Sequence, residues 1–388
     1  MKRAIYIHEF AVACALGEDA QTVRRNLLSA EPPLICGQAC LTDGRTVPVG
    51  TITFEPAEAA DGADSRCNQL ADRCLAALRP ALARHIHDAG SVRMAVVVGT
   101  CTSGVGEGGE AFRFWSEHGS WPRDFRFSSQ ELGDLAAHVA MRTGARGPTY
   151  GISTACSSGA KAIASAARLI EAGLCDVAIA GGVDAISPLT LNGFAALESL
   201  SERVCNPFSV NRRGINLGEG GALFVLSSQP SPIKLAGWGE SADAYHISAP
   251  DPEGRGAQAA MLQALDRAAC RPADIGYLNL HGTATKLNDL MEARAVSRVF
   301  GADLPCSSTK PMTGHMLGAA GACEAAFAIM ALQSGRLPAH VWDGEWDEAL
   351  TPICLVAANG EKKDIRRAMS CSYAFGGNNI ALILEKTQ

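Results

Sequence analysis

The sequence predicts an α/β protein in which sheet is layered against helix, and three observations carry that prediction. Short apolar runs that suit buried strands alternate with longer segments of helical period. Glycine-rich turns separate them, and 40 glycines with few aromatic residues (6%) allow close backbone packing. The second half of the chain also repeats the punctuation of the first, which predicts a duplicated unit.

The elements can be read in order. The stretch after Met1 reaches Gly17 with two early basic residues, but His8 and Glu9 interrupt its apolar character. It reads as a first strand and not as a leader peptide. Met94–Val98, ending at Gly99, suits a buried strand. Ser128-Ser129-Gln130-Glu131 has capping-box spacing and predicts a helix carrying Leu132, Leu135, Ala136 and Val139, stopped by Gly144. Pro148–Ile152 reads as a strand, and Ser157–Ala172 as a helix with Ala160, Ile163, Ala164, Ala167 and Ile170 on one face. Gly173 is its expected stop, and Cys175–Ala180 is the next buried strand.

The second half runs the same way. Tyr277–Leu280 is a strand entering a polar turn, and Gly318–Ser334 is a small-residue helix closed by Gly335. Ile353–Ala357 and Ile380–Leu384 are late strands. The proline- and serine-bearing stretch Gln229–Ile233 is the best boundary, which divides the chain into halves 1–230 and 231–388.

Composition excludes some functions. A net charge of −6, with charged residues at 19%, lacks the basic excess of a nucleic-acid-binding protein. No uninterrupted apolar run approaches the length of a bilayer span. The 14 cysteines show no paired CxxC spacing, so a zinc site is not expected. So many unpatterned thiols fit a reducing, cytoplasmic setting.

Four segments carry chemistry. In Ser153-Thr154-Ala155-Cys156-Ser157-Ser158-Gly159-Ala160 a strand gives way to a helix with Cys156 at the junction. A helix N-terminus favours a thiolate, and a sharp turn exposes the sulfur, although a structural cysteine beside a cap is an equal reading. His281-Gly282-Thr283-Ala284-Thr285 follows an apolar strand, where a side chain can face a cleft; a histidine satisfied within its turn is the plainer reading. Ser307 to His315 brings Lys310 and His315 near a helix start, although most lysines are solvated. Phe375-Gly376-Gly377-Asn378-Asn379 lets backbone N–H groups approach a substrate oxygen, or is an inert loop.

Together and in this order, these segments resemble the type I/II β-ketoacyl-ACP synthases of the thiolase fold. The likeness runs nearly end to end. It also includes Ala15-Leu16-Gly17, Gly181-Gly182 and Asp243-Ala244-Tyr245-His246. It implies duplicated αβαβα layers with two mixed, mainly parallel sheets.

The resemblance further implies a nucleophile at Cys156 and an oxyanion hole from the N–H groups of Cys156 and Phe375. It implies a decarboxylating pair at His281 and His315, and a supporting Lys310 charge-paired with Glu324. Thr283 and Thr285 match the hydroxyls that hold a phosphopantetheine arm. Phe375 matches a gate, and Val105 and Phe194 match positions near the acyl pocket. The reaction so implied is decarboxylative Claisen condensation of malonyl-ACP with an acyl chain held on the cysteine. It needs no metal and no cofactor beyond the carrier's arm. The implied partners are an acyl carrier protein and a second ketosynthase-like chain, as a homodimer or as a heterodimer with a chain-length factor.

Several positions depart from the family pattern. Lys286-Leu287-Asn288 replaces small residues after the His281 motif, while Asp289 and Glu292 keep the acidic pattern. Ala374 precedes Phe375 where glycine is common, Asn378 replaces threonine, and Glu198 stands where arginine is usual. The region Glu55–Arg73 does not match the usual basic docking surface. These departures tilt the reading toward an aryl-polyene or type II polyketide pathway over housekeeping fatty-acid elongation. A non-catalytic chain-length factor would be expected to lose Cys156. A degradative thiolase would carry its second cysteine in a different setting from Cys371.

Overall fold

The computed structural model describes residues 3–54, 65–89, 91–357 and 359–387. Eleven strands form the main sheet. In the first half these are β1 (Ile5–Cys14), β2 (Met94–Gly99), β3 (Thr149–Ile152), β4 (Val177–Asp184) and β5 (Gly220–Ser227). In the second they are β6 (Ile233–Ala242), β7 (Tyr277–Asn279), β8 (Pro305–Ser307), β9 (Cys354–Leu355), β10 (Arg367–Ala374) and β11 (Asn378–Lys386).

The strand order shows the duplication directly. Counted from the middle of the sheet, the first half runs β1-β5-β4-β2-β3 and the second runs β6-β11-β10-β7-β8, with β9 added at the outer edge. Each half therefore places its first strand at the seam and its last beside it, with its third outermost in the first half and next to the added β9 in the second. The seam is one antiparallel pairing of Ile5–Ile7 with Ile233–Leu235.

This arrangement corrects two details of the expectation. The two sheets are hydrogen-bonded into one. Parallel neighbours do not dominate: five pairings are parallel and five antiparallel. Besides the seam, the antiparallel pairs arise because each half's last strand returns between its first and its penultimate strand.

Six helices complete the layers: α1 (Arg66–Ala89), α2 (Asp134–Thr143), α3 (Ser158–Glu171), α4 (Arg255–Ala268), α5 (Lys286–Phe300) and α6 (Ala320–Ser334). Three apolar clusters mark the interfaces. Leu70, Leu78, Leu135 and Val139 of α1 and α2 pack on Val96, Val98, Ile179 and Val225. Met261, Ala264, Met291 and Val296 of α4 and α5 pack on Leu278, Met369 and Ile383. Between the two sheet halves, α3 and α6 share a core with Val97, Ala180, Phe224, Leu382 and Leu384. The result is five layers, helix–sheet–helix–sheet–helix.

The two central helices are built for that position. In α3 the face Ala160, Ile163, Ala164, Ala167 and Ile170 is buried as the period predicts, and the chain reverses at Gly173 with φ 72°. In α6 every residue from Ala320 to Leu332 is buried, and it is apolar nearly all round, as a helix sandwiched on all sides must be. The segment Leu317–Ser334, interrupted by Glu324, is by length and composition apolar enough to cross a bilayer, but 89% of it is buried within the protein.

Backbones meet where the halves cross. A Cβ at Gly159 would lie 2.9 Å from both the Ala322 Cβ and the Gly318 carbonyl oxygen. A Cβ at Gly182 would lie 2.9 Å from the Gly159 Cα. Only glycine allows this approach.

Some boundaries differ from those expected. The capping-box segment forms a short 3₁₀ turn at Phe127–Gln130, and α2 starts later, after Gly133, without a side-chain cap. The strand expected at Cys175–Ala180 is β4, which continues through Gly181-Gly182 to Asp184. The late strand Ile353–Ala357 shrinks to two residues, and Ile380–Leu384 extends to nine.

Candidate active site

Cys156 lies between β3 and α3, at the junction the sequence marks. The preceding residue, Ala155, holds φ 51°, a left-handed conformation that non-glycine residues rarely adopt and that costs about 1–3 kcal/mol. Ser158 stabilises the turn: its hydroxyl donates to the Ala155 carbonyl at 2.6 Å and accepts from the Thr154 N–H at 2.8 Å. The turn presents the sulfur to a cavity of about 800 Å³ lined by Cys156, His281, His315, Thr283, Phe194 and Phe375, among others.

The two histidines arrive from the other half. His315 Nε2 is 2.9 Å from Cys156 Sγ. Its backbone is clamped on both sides, with its N–H donating to the Asn216 carbonyl at 2.7 Å and its carbonyl accepting from the Gly218 N–H at 2.9 Å. The His281 ring stands edge-on to the His315 ring, with centroids 5.3 Å apart. Glu292, from α5, accepts from the N–H groups of His281 (2.6 Å) and Gly282 (2.7 Å) and so fixes that turn. Asp289, one helical turn earlier on α5, accepts from Phe208 N–H at 2.8 Å and Ala284 N–H at 3.2 Å.

Lys310 and Glu324 sit behind the histidines and do not line the cavity. Each side chain is 1% exposed, and they form an ion pair at 2.6 Å. The Lys310 ammonium also donates to the His281 carbonyl. Such a pair breaks even at best against its desolvation, but losing one member strands the other in the core.

Burial and the ion pair set the protonation states. Burial pushes the Cys156 thiol up to about 11, against the lowering pull of Lys310 and of the Phe375 and Cys156 backbone N–H groups. The helix start therefore does not by itself favour the thiolate, as its position in the sequence suggests; desolvation wins in the resting site. His281 and His315 are held well below the ordinary imidazole range, first by burial and then by the Lys310 charge. Both rings are neutral at pH 7. Burial also raises Glu292 to about 8 and Asp289 to about 6.

The remaining candidates divide. Phe375 follows β10, in a loop where Gly376 and Gly377 take φ 80° and 73°, and its ring lies 5.8 Å from that of Phe194. Thr283 and Thr285 lie on the cavity wall with hydroxyls 3.0 Å apart. Val105 is not on this wall; it opens the helix Val105–His118, which packs against Pro188–Ala196. Glu198 does line the cavity. Residues 55–64 of the expected docking region lie outside the described residues.

Asp184 is a site residue that its sequence setting does not announce. Fully buried at the end of β4, it accepts from Thr100 Oγ1 (2.6 Å), Thr102 Oγ1 (2.7 Å), the N–H groups of Cys101 and Thr102 (both 2.9 Å) and Gly318 N–H (2.5 Å). It ties the turn after β2 to the turn that follows His315. One signal was available: it is the first acid after a wholly apolar strand, where a buried carboxylate requires several donors.

Relatives fit this geometry. Residues 51–231 match the β-ketoacyl synthase N-terminal domain and residues 233–342 its C-terminal domain. The ketosynthase ApeO, solved in complex with its chain length factor ApeC from Xenorhabdus doucetiae, is 43% identical. It superposes with a TM-score of 0.94 over 99% of this chain and 98% of its own. This chain belongs to the β-ketoacyl synthase family. A β-ketoacyl synthase from Burkholderia phymatum STM815 is 25% identical, with a TM-score of 0.86 over the whole of both chains. The 3-oxoacyl-[acyl-carrier-protein] synthase 2 of Staphylococcus aureus (strain COL) is 37% identical over 276 residues, a match spanning 65% of each protein. As a member of that family, the chain has its cysteine and histidines in one cavity, each on a segment that follows a different strand.

The ligand atoms of Cys156, His281 and His315 lie within 4.8 Å of one another, a spacing a soft metal ion could also use.

Proposed function

We propose that this ketosynthase condenses malonyl-ACP, with loss of CO₂, onto an acyl chain held on Cys156, and that it does so in a specialised polyene or polyketide pathway. The observation that carries the reading is the 2.9 Å contact between Cys156 Sγ and His315 Nε2, made across the two halves with His281 beside it. In the first step Cys156 passes its proton to a neighbouring imidazole and attacks the thioester carbonyl of an acyl carrier protein. The oxyanion is received by the N–H groups of Cys156 and Phe375, and the carrier thiol leaves with the proton.

Malonyl-ACP then occupies the same cavity, its arm held by Thr283 and Thr285. Neutral His281 and His315 donate N–H to its thioester carbonyl as the carbon–carboxylate bond breaks and CO₂ departs. The enolate carbon attacks the acyl-Cys156 carbonyl, a carbon–carbon bond forms, and the sulfur leaves as thiolate. Lys310 and Glu324 support the histidine turn without reacting, and Phe375 gates the cavity. Phe194, on the cavity wall, borders the acyl chain, whereas Val105 lies off that wall. On this reading the halves 1–230 and 231–388 contribute the nucleophile and the imidazoles respectively.

Similarity to a ketosynthase solved with its chain length factor supports a heterodimer of that kind for this chain. Fourteen free thiols support a reducing, cytoplasmic setting. Housekeeping elongation is the second reading, favoured by the similarity to 3-oxoacyl-ACP synthase 2. Intact-protein mass spectrometry of the chain incubated with acyl-ACP primers, alone and with a chain-length factor, tests both. The specialised reading expects Cys156 to load polyene or polyketide primers and to elongate them only with the partner present. Elongation of saturated long-chain primers by the chain alone would favour the housekeeping role, and acylation of Cys156→Ala would refute the nucleophile.

A further inference from the structure

Resting on the ketosynthase reading, we propose that His340, a histidine outside the cavity, is a positioning residue for His281 and thereby for the decarboxylation of malonyl-ACP. His340 lies in the stretch that follows α6, is fully buried and does not line the cavity. Its ring stands edge-on to those of Phe208 and Trp342, with centroids 5.9 and 5.8 Å away.

Both ring nitrogens are committed, and their partners fix the tautomer. The Ser308 N–H donates to Nδ1 at 3.1 Å, and Nε2 lies 3.1 Å from the Pro207 carbonyl oxygen. A backbone N–H can only donate and a carbonyl can only accept, so Nε2 carries the proton and Nδ1 is bare. Burial lowers the imidazole to about 4, which keeps the ring neutral near pH 7.

Each partner leads to the His281 turn by its own route. Ser308, aligned by Nδ1, donates its hydroxyl to the Gly282 carbonyl at 2.7 Å. The two segments touch so closely that a Cβ at Gly282 would lie 2.4 Å from the Ser308 Cβ. On the other side, the Pro207–Phe208 peptide is gripped at both ends. Its carbonyl accepts from His340, and its N–H donates to Asp289 Oδ2 at 2.8 Å. Phe208 holds φ 64°, which a bulky residue keeps only where its surroundings impose it. Asp289 Oδ1 in turn accepts from the Ala284 N–H.

The backbone groups of His281 and Gly282 are all engaged. Glu292 accepts from both N–H groups, Lys310 donates to the His281 carbonyl, and Ser308 donates to that of Gly282. Of these partners, Ser308 is the one that His340 aligns. Cys156 and His315 are held by separate contacts, from Ser158 and from Asn216 and Gly218. Loosening His340 should therefore disturb the step that needs His281 and spare the acylation of Cys156.

The test measures the two half-reactions separately. His340→Phe keeps a ring between Phe208 and Trp342 and removes both hydrogen bonds. It is expected to lower kcat for CO₂ release from malonyl-ACP about tenfold or more, since small misplacements of a reacting group are costly. KM and the rate of Cys156 acylation should change less than about threefold. His340→Asn keeps an acceptor near the place of Nδ1 and should bring kcat to within about threefold of the parent. His340→Gln places its amide nearer Nε2 and should not. If His340→Phe does not fold, the contrast between Asn and Gln carries the test. Equal losses in both half-reactions, no loss in any variant, or equal kcat in the Asn and Gln variants overturns the proposal.

Histidine ring NMR reads the same geometry without turnover. In ¹⁵N-histidine-labelled protein, the His281 resonances, assigned by their loss in His281→Ala, should shift in His340→Gln and stay in place in His340→Asn. Both of these variants lack the ring, so its magnetic influence cancels from the comparison. Resonances that shift alike in the two, or in neither, overturn the proposal. If the parent acylates Cys156 but releases no CO₂ from malonyl-ACP, the ketosynthase reading fails, and the NMR comparison still decides whether His340 positions His281.

Discussion

The two halves of this molecule share a strand order and differ in what they place at the same junction. In the first half the third strand, β3, leads to Cys156 and then to α3. In the second half the third strand, β8, leads through Lys310 and His315 to α6. Equivalent strand-to-helix connections thus face each other across the central layer, and their side chains meet at 2.9 Å. The first junction is small and uncharged, with serine hydroxyls closing a strained turn. The second is backed by a buried ion pair. Duplication supplied two openings in register, and each half fitted its own with a different reagent.

The comparison breaks most visibly if the two junctions prove interchangeable in function. Cys156→Ala should abolish acylation and lower condensation on the order of 10⁴-fold or more. His281→Ala should leave Cys156 acylation nearly intact while malonyl-ACP decarboxylation falls about 10²–10⁴-fold. Single-turnover assays of the two steps separate these outcomes. Parallel losses would mean that the halves do not divide the work.

The next effect concerns the charge behind the second junction. Lys310→Met should destabilise the fold by about 3–5 kcal/mol, because Glu324 stays buried without its partner. Lys310→Met with Glu324→Leu should recover most of that loss in denaturant titrations. A single variant as stable as the parent would show that the pair does not hold this half together.

A pH titration sharpens the contrast further. With the thiol raised to about 11 by burial, its thiolate fraction grows with pH throughout the accessible range. Iodoacetamide should alkylate Cys156 about tenfold faster per pH unit from about 7 to about 10 without a plateau. A plateau near neutrality would mean that the sulfur shares its proton with His315 in a stable ion pair.

The smallest effect lies at the gate. Lys161 Nζ, on α3, donates to Asn378 Oδ1 at 3.0 Å and so links the nucleophile's helix to the Phe375 loop. Asn378→Thr should cost about 1 kcal/mol or less in stability, read by denaturant titration, and change kcat/KM less than about fivefold.

Much of this was legible in the sequence because the decisive signals are local. Glycine stops, apolar runs and the Cys156 turn are each written within a short stretch of chain, and they located β2, β3, α3 and α6 closely. The convergence of Cys156, His281 and His315 is not local, and order along the chain suggested it only through family likeness. Three features escaped for physical reasons. Glu292 and Asp289 stand out in the sequence only as part of the family's acidic pattern; their role as buried acceptors for turn N–H groups shows once α5 is packed. Asp184 acts through donors from two distant segments, Thr100–Thr102 and Gly318, and leaves no periodic mark. The thiol's basicity depends on how completely the site excludes water, and residue spacing does not record that.

The crossing of Gly159 and Gly182 has a consequence for anyone who would redesign the pocket. Neighbouring atoms already stand 2.9 Å from where a methyl group would go. One alanine there would act as a shim between the halves, moving sulfur and imidazole apart without touching either. Room for a bulkier chain must therefore be carved from the cavity wall, since the distance between the reacting groups has no slack to give.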